Sequence, residues 1–509
     1  MDEQEKIERR QHIRLIVTEV LMFLSVILLV GFLTLIVMGY SFNLREIGGS
    51  GEVIERYGLV QISSLPSGAT ITIDGETPLL LNTNASRSML AGEHEILLSR
   101  EGFDSWSKKI NVTEGMMYRL NYPRLFKTER EPEEIFEFRK GEVELLESIQ
   151  KYTMEDGVIK SEGVKFVSVS PNNEKMIIQI ESNLYEMNMN ENKPELRLIE
   201  VTGIDGDVVK FTTISRAEWS GNSERMLLKV NGEWAVLNVR NPKETVWLSE
   251  VLGKETPVKM QFESEAGDRL LVLDDKKELY ELSVRDKKLS EVLLSNVESF
   301  DNDGERVVFL TKGKVETEDE ETGEKKTEVA FQIRALRVGD EESYLVTVAS
   351  ENASFRTMRY FQEGYIAILE DGKLVIYLKT GWVNSDEDME KVFEEEVGFE
   401  VGDVKKRGRG MAFELLGENG EDKVFDIEAM SLSNVDIKNT GWVDEFLRYR
   451  LEDGKLSVLD YDGLNERVLV EKSVASGRTV AISGNNRWLY YFTKDEKGTE
   501  KLVREKITN

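Results

Sequence analysis

Two hydrophobic patterns divide the chain. Residues 20–40 read VLMFLSVILLVGFLTLIVMGY, an apolar run without a single charged side chain. From residue 58 onward, apolar residues instead alternate with polar ones over short stretches, which are separated by Gly, Asn or Asp. A long uncharged run predicts one helix, whereas alternation with a period of two predicts β-strands. The pattern therefore predicts an all-β region behind a single N-terminal helix.

The apolar run has the length of a membrane span. As a helix it would extend about 31 Å, which matches a hydrocarbon core of about 30 Å. We therefore expect a transmembrane helix at residues 20–40, with the lipid bilayer as its partner. A buried core helix would show a polar face, and a cleaved signal peptide would have a shorter apolar stretch and a small-residue cleavage site. Both remain alternatives.

The charges beside the run predict its orientation. Four basic residues precede the run and two follow it as far as residue 57. Basic residues favour the cytoplasmic side of a membrane. The bias predicts a cytoplasmic tail at residues 1–19, a single pass through the cell membrane and an extracytoplasmic C-terminal region. Residues 41–57, which include Gly48-Gly49-Ser50-Gly51, are expected to be a linker.

A small β-domain is expected at residues 58–125. Its turn signals are Pro66-Ser67-Gly68-Ala69, Asp74-Gly75, Leu90-Ala91-Gly92 and Gly102-Phe103. Their order and spacing resemble the PEGA domain family, although Ala91 replaces the usual proline and His94 the usual aromatic residue. The resemblance implies a binding or spacer module of envelope and surface proteins without catalytic residues. The structural motif it assigns consists of Pro66, Gly68, Ala69, Asp74, Gly75, Gly92, Gly102 and Phe103.

A weak internal repeat follows a connector at residues 126–163. A strand–turn–strand pattern starts near Val169-Ser170-Pro171 and returns near Trp219, Asp301 and Ile482. A second apolar marker recurs eight times at intervals of roughly 45 residues, and the hexamer LEDGKL occurs at 369–374 and at 451–456. Such repeats are typical of β-propellers. The S-P-N-N-E-K and S-G-N-S-E-R turns resemble those of TolB-type, WD40-like propellers.

The repeat predicts a β-propeller at residues 164–509 with eight blades, or seven if the short seventh unit is irregular. A series of β-sandwiches is the alternative. The last unit lacks a final strand, and we hypothesise that Glu134–Arg139 (EIFEFR) supplies it and closes the ring. The polar insert Val315–Glu328 is expected to be an exposed loop.

Composition removes several classes of function. The formal net charge is −29, and the negative electrostatic potential that it creates repels phosphate backbones, so no nucleic-acid partner is expected. The chain has no cysteine, which excludes disulfides, thiolate zinc sites and thiol catalysis, and which fits an exported bacterial protein. Only two histidines occur, His12 and His94, and we expect His94 to be a structural residue rather than a metal ligand.

The sequence predicts no catalytic, cofactor-binding or metal-binding residue. The chain has no phosphate-binding loop, dinucleotide-binding motif or nucleophile elbow. Asp301-Asn302-Asp303-Gly304 looks like the start of a calcium loop, but Lys312 stands where a bidentate Glu is needed, so a blade turn is favoured. Trp382 and Trp442 are expected to pack in a core or at an edge, with a binding face as the alternative.

These observations predict a membrane-anchored cell-envelope protein that is not an enzyme. Its propeller would bind a protein or a cell-wall glycan, or act as a scaffold. Two alternatives remain. One is a propeller-based envelope enzyme that acts on glycans, and the other is a sensory subunit of a membrane signalling complex, whose short cytoplasmic tail would need a partner.

Overall fold

The computed structural model divides the chain into two compact units, one that ends at Thr128 and one that starts at Glu129. The residues described below are 18, 20–31, 34, 40–42, 54–78, 81–139, 158–160, 164–253, 255–318, 325–340, 342–360, 363–379, 389–407, 412–417, 421–427, 429–436, 440–444, 446–496 and 498–508.

Residues 20–31 form a helix whose apolar side chains are exposed, as at Phe23, where 70% of the surface is accessible. Ser25 and Thr34 donate their hydroxyls back to the carbonyl oxygens of Met22 and Val30. Of the helices in the described ranges, none is both long enough and apolar enough to cross a membrane. The remainder of the run predicted at residues 20–40 lies largely outside the described residues.

The first unit contains two small sheets. In chain order its strands are β1 (Tyr40–Phe42), β2 (Ile54–Ile62), β3 (Thr70–Ile73), β4 (Ala85–Leu90), β5 (Gly92–Ser99), β6 (Trp106–Val112) and β7 (Met117–Leu120). One sheet has the order β1-β2-β4, with β7 parallel to β2, and the other has the order β3-β5-β6. Ser41, Phe42 and the start of β2 fall in the range expected to be a linker, and Tyr40, which was expected to be helical, begins β1. Residues 48–51 lie outside the described residues.

The core of the first unit follows from the alternation in its strands. Strand β6 alternates strictly between buried and exposed residues, so its apolar side chains point to one face. Trp106 is fully buried there and meets Tyr122 edge-on at 6.0 Å between ring centroids.

The second unit is a succession of sheets, which we call blades 1 to 8. Blade 1 consists of β10 (Val164–Val169), β11 (Lys175–Ile180), β12 (Asn183–Asn188) and β13 (Leu196–Ile199). Blade 2 consists of β14 (Ile214–Trp219), β15 (Arg225–Val230), β16 (Glu233–Asn238) and β17 (Val246–Trp247). Blade 3 consists of β18 (Pro257–Phe262), β19 (Arg269–Asp274), β20 (Leu279–Ser283) and β21 (Lys288–Leu294). Blade 4 consists of β22 (Val297–Asn302), β23 (Arg306–Glu318), β24 (Lys325–Arg337) and β25 (Tyr344–Ala349).

The later blades repeat this plan. Blade 5 consists of β26 (Ser354–Tyr360), β27 (Glu363–Glu370), β28 (Lys373–Lys379) and β29 (Met389–Glu396). Blade 6 consists of β30 (Val401–Arg407), β31 (Ala412–Gly417), β32 (Asp422–Asp426) and β33 (Ser431–Asn434). Blade 7 consists of β34 (Thr440–Trp442), β35 (Leu447–Glu452), β36 (Lys455–Asp460) and β37 (Arg467–Val470). Blade 8 joins β38 (Ala481–Ile482), β39 (Trp488–Lys494) and β40 (Glu500–Lys506) to β8 (Pro132–Arg139) and β9 (Val158–Lys160). A 3₁₀-helix (Pro242–Glu244) lies within blade 2, between β16 and β17, and a one-turn helix (Ser249–Leu252) lies between blades 2 and 3.

Each blade is an antiparallel meander, and the second strand is its most buried element. Strands β11, β19 and β27 are almost continuously apolar and buried, whereas the last strands β21 and β29 are largely exposed. A short continuous apolar run is typical of a strand that is covered on both faces. In five blades the first strand has a bulge after its first residue, which marks the same structural unit repeated.

The LEDGKL hexamers form the same hairpin in blades 5 and 7. Asp371 and Gly372 both have positive φ angles, as do Asp453 and Gly454. Two central residues with positive φ define a type I′ turn, whose twist matches that of the flanking strands and which favours Asp-Gly.

The blades pack against their neighbours and close into a ring. One core cluster joins blades 8 and 1 through Phe492 and Met176, and further clusters join blades 1 to 2, 2 to 3, 3 to 4 and 4 to 5. Strand β8 pairs antiparallel with β40, which confirms the hypothesis that residues 134–139 supply the missing strand. The all-β, propeller-like fold is therefore present with eight sheets in the described residues, and the seventh is a full four-stranded sheet.

The insert in blade 4 is not the loop that the sequence predicted. Strands β23 and β24 stay paired from Arg306↔Arg337 to Glu318↔Lys325, so most of residues 315–328 form a two-stranded ribbon. The other strands of blade 4 pair with this hairpin only as far as Thr311 and Phe331. The backbones of the two polar segments stay paired residue by residue, although neither segment has the apolar residues that normally mark a strand.

Candidate functional site

A recurring turn lies between the first and second strands of several blades. In blade 2 the Ser220 hydroxyl donates to Asn222 Oδ1 at 2.7 Å and accepts the Arg225 backbone N–H at 3.0 Å. Ser170 makes the same pair of bonds in blade 1, and Ser483 makes it in blade 8. These serines are at most 1% exposed, so each hydroxyl fixes the turn from inside.

The turns of blades 8, 1, 2, 3 and 4 are linked to one another, and we call this series the turn arc. Its bonds are Gly484 N to Asn173 O at 2.6 Å, Asn172 N to Ser223 Oγ at 3.1 Å, Asn222 N to Glu265 O at 2.8 Å and Asn302 Nδ2 to Phe262 O at 3.1 Å. Each bond connects one blade to the next. The arc is therefore a polar edge that the repeat itself holds in place.

A groove of about 500 Å³ lies outside the arc, where blades 1 and 2 meet. Its lining comes from strands β12 and β13 and from the ends of the turns, and comprises Lys175, Glu186, Asn188, Glu191, Glu195, Leu196, Arg197, Glu224 and Arg240. Leu196 is the one apolar residue in this lining. The groove is therefore lined mainly by charged and amide residues, whose aliphatic stems supply much of its surface.

The charges of the groove are balanced and held by local partners. Arg197 pairs with Glu186 and also donates to the Val239 carbonyl at 3.3 Å. Arg240 lies 3.5 Å from Glu224. Three cations face four carboxylates across the lining, so the groove presents both donors and acceptors with little net charge. Such a surface suits a ligand rich in hydroxyl or amide groups.

Glu263 occupies the serine position in the turn of blade 3. Its side chain is 4% exposed, and in the described part of the chain its Oε2 atom has no hydrogen-bond partner. The pKa of Glu263 is raised to about 7, first by burial and next by the nearby Glu281 carboxylate. Sequence reasoning missed this residue because a glutamate beside a turn is ordinarily a surface residue. The only signal was that it replaces the serine of the repeat.

Asp301 and Asn302 end β22, and Asp303 and Gly304 lie in the turn that leads to β23, so the segment belongs to a blade turn, which is the favoured interpretation. Asp301 accepts the Gln261 amide at 3.2 Å and the Thr357 backbone N–H at 2.9 Å, and Asp303 Oδ1 accepts the backbone N–H groups of Glu305 and Arg306. In the ranges that the structure covers, no three His, Cys, Asp or Glu residues are grouped so that they could hold a metal ion.

The other residues singled out from the sequence lie apart from the groove. Trp442 is partly buried, and its ring stacks on the guanidinium of the buried Arg448 at 4.1 Å. Trp382 lies outside the described residues. His94 lies in the first unit, where Nδ1 is 2.7 Å from Asp74 Oδ2 and Nε2 is 2.8 Å from the Leu90 carbonyl.

The residues of the predicted structural motif occupy the turns of the first unit. Ala69 is fully buried, whereas Pro66 and Gly68 lie in the turn before β3, and Gly102 and Phe103 lie between β5 and β6. Asp74 and Gly75 both have positive φ and connect Ile73 to Glu76, and Gly92 begins β5. The Asp74 pKa is lowered by the Glu95 backbone N–H and next by His94.

Comparisons with known proteins identify one domain. Residues 57–125 match the PEGA domain, within one residue of the range expected from the turns. No curated protein matches the chain.

Solved structures resemble the chain only distantly. An oligogalacturonate lyase from Vibrio parahaemolyticus is 10% identical with a TM-score of 0.36, and the alignment covers 68% of this chain and 97% of the lyase. The tricorn protease is 10% identical with a TM-score of 0.37, over 78% of this chain and 45% of the protease. TM-scores this low carry no argument about fold or function.

Proposed function

We propose that this protein is a membrane-anchored binding or scaffold protein of the cell envelope, whose ring of blades presents a polar groove to a protein or a cell-wall glycan. The observation that carries the proposal is the groove between blades 1 and 2. It is open, balanced in charge and built on strands that the turn arc holds in place. Rigid placement of polar groups lowers the entropy lost when a ligand binds.

Two features support the envelope location. PEGA domains, as the match at residues 57–125 implies, are modules of envelope and surface proteins. The uncharged run at residues 20–40 has the length and apolar character of a membrane span, with the positive charges before it. A globular protein gains nothing from keeping the apolar side chains of residues 20–31 in water, so a lipid environment accounts for their exposure.

Site-specific photo-crosslinking in intact cells tests the groove. A benzophenone residue would replace Glu195, which is exposed in the groove, and the matched control would replace Glu265, an exposed residue of the turn arc outside the groove. We expect an adduct at position 195 and none at 265. Digestion with protease or with a glycan hydrolase then distinguishes a protein from a glycan. Equal labelling at both positions, or none, would reject the groove as the binding site.

Alkaline carbonate extraction tests the anchor. The full-length chain should stay with the membrane pellet, its N-terminus should be uncleaved, and added protease should degrade the β-region from outside intact cells. Release into the supernatant, or a mature form that begins after residue 40, would contradict the anchor while leaving the groove open to test.

The glycan-active alternative has one observation in its favour, since Glu263 has the raised pKa that a general acid needs. Its side chain is nearly inaccessible, however, and a general acid must reach its substrate. We therefore favour a binding role. The sensory alternative depends on residues 1–19, which lie almost entirely outside the described residues.

A further inference from the structure

The first unit gathers exposed apolar side chains at one end of the sheet that contains β2. Among the described residues between 54 and 128, four large apolar side chains are exposed. Three of them are Leu90, Met116 and Met117, with 46%, 63% and 44% of their surface accessible. The fourth, Leu65, lies beyond the other end of β2. Single apolar residues are normal on a protein surface, whereas a group of them marks a contact surface.

Strand pairing brings this group together. Tyr57 on β2 pairs with Leu90 on β4, and Leu59 on β2 pairs with Met117 on β7. Paired residues point to the same face of a sheet, as do residues two apart on one strand, so these four lie side by side. Met116 adjoins them, because its carbonyl oxygen accepts the Leu59 N–H at 2.9 Å. We call these five residues the apolar patch.

The apolar patch is not part of the core of the unit. The opposite face of the same strands faces the core, and its residues are at most 4% exposed: Val60, Ile62, Met89 and Leu120. Further along β2, the face that carries the patch becomes polar, since Gln61 pairs with Ser86 and with Arg119. The apolar side chains are therefore confined to one end of the outer face.

This end of the sheet is also where the chain arrives from the uncharged run at residues 20–40. Tyr40, the last residue of that run, begins β1 and pairs with Arg56. Strands β1 and β7 both pair with the edge of β2 opposite β4, so Met117 stands three positions along β2 from Tyr40, or about 10 Å. Because β2 runs antiparallel to β1, the residues after Arg56 lead back towards the side from which the chain enters β1.

We propose that the apolar patch lies in the lipid interface, so that the first unit rests on the bilayer surface instead of standing away from it. This inference rests on the proposed membrane anchor, because a run that fills the hydrocarbon core brings Tyr40 to the level of the headgroups. Aliphatic, thioether and aromatic side chains at that level leave water for the boundary between headgroups and acyl chains. The net charge of −29 opposes binding to anionic headgroups, so the contact is apolar.

Spin labels on the full-length protein in vesicles of phosphatidylethanolamine and phosphatidylglycerol test the contact. The chain has no cysteine, so single substitutions place one label each: Met116→Cys in the patch, Leu65→Cys as the matched control and Ser25→Cys in the run. Oxygen concentrates in lipid and a nickel chelate in water, so the ratio of their collision rates with the label reports its depth. We expect this ratio to be several-fold higher at position 116 than at position 65.

The label at position 116 decides the patch, and the label at position 25 decides the anchor. A ratio at position 116 as low as that at position 65 would overturn the patch, whatever position 25 shows. An aqueous ratio at position 25 would reject the anchor. Protection of position 116 from both reagents would overturn the patch in favour of a contact with protein, such as a second copy of this chain.

A label at Leu90→Cys tests whether the patch acts as a unit. The ratio at position 90 should fall to the aqueous value when Met116→Asp and Met117→Asp are combined, because carboxylates favour water over the interface. Leu65→Asp is the matched control and should leave the ratio at position 90 unchanged. All of these positions are exposed, so the fold tolerates the substitutions. A ratio at position 90 that the double variant does not lower would overturn the proposal.

Discussion

Lys501 lies 2.9 Å from both carboxylate oxygens of Glu134, although the two residues are 367 positions apart in the chain. This ion pair lies on the seam where β8 joins β40 and completes blade 8. The seam also has an apolar side, where Phe138 packs on Phe492 with ring centroids 6.4 Å apart. The ring is therefore closed by a strand that comes before all the others in the repeat, so the two ends of the repeat stabilise each other.

The apolar side of the seam should account for most of its stability. Phe138 is 2% exposed, and Phe138→Ala should lower the free energy of unfolding by about 3–5 kcal/mol through lost burial and the cavity that remains. Lys501→Ala removes a solvent-exposed ion pair and should cost about 1 kcal/mol or less. Denaturant unfolding of the full-length protein measures both. Equal effects would show that the ring does not depend on this packing.

The turn hydroxyls offer a second test. Ser220→Ala leaves the partly buried N–H of Arg225 without the acceptor that the buried Ser220 hydroxyl provides, and the expected loss is about 1–3 kcal/mol. Ser215→Ala, at an exposed position of the preceding strand, is the matched control and should change stability by about 0.5 kcal/mol or less. A loss at Ser220 no larger than that at Ser215 would mean that the recurring serine does not hold the turn.

The sequence was most informative where the repeat is regular. Serine–asparagine turns, LEDGKL hairpins and the EIFEFR strand depend on local residues, so eight units, their closure and the PEGA domain could all be predicted. The burial of Glu263 could not, because it depends on what the folded chain packs around the turn of blade 3. The paired strands at residues 315–318 and 325–328 were also missed, since backbone pairing in a polar ribbon leaves little hydrophobic pattern.

Removing one partner of the ion pair between blades 6 and 7 should lower the free energy of unfolding strongly, whereas replacing both partners with apolar residues should lower it much less. Arg448 and Glu414 are 1% and 2% exposed and pair with each other, and Arg448 also donates to the Tyr461 carbonyl at 2.9 Å. Arg448→Met alone removes the guanidinium that pairs with a buried carboxylate, with an expected loss of about 3–5 kcal/mol. The double variant with Glu414→Leu should recover most of that loss. A double-mutant cycle by denaturant unfolding measures the coupling, and purely additive losses would contradict it.

Glu263 should make stability depend on pH. Its pKa is raised to about 7, chiefly by burial, from an ordinary value near 4.5. The folded state therefore keeps a proton that the unfolded state releases. The Glu263 carboxyl contributes its full stabilisation below about pH 4.5, and this contribution is lost as the pH rises through 7. Glu263→Gln removes this titration. We expect it to raise the free energy of unfolding at pH 8 by up to about 3 kcal/mol and to have little effect at pH 4.5.

Glu265→Gln, the exposed neighbour in the same turn, serves as the control and should leave the pH profile unchanged. If Glu263→Gln and wild type showed parallel profiles from pH 4.5 to 8, the buried carboxyl would not be the group that titrates.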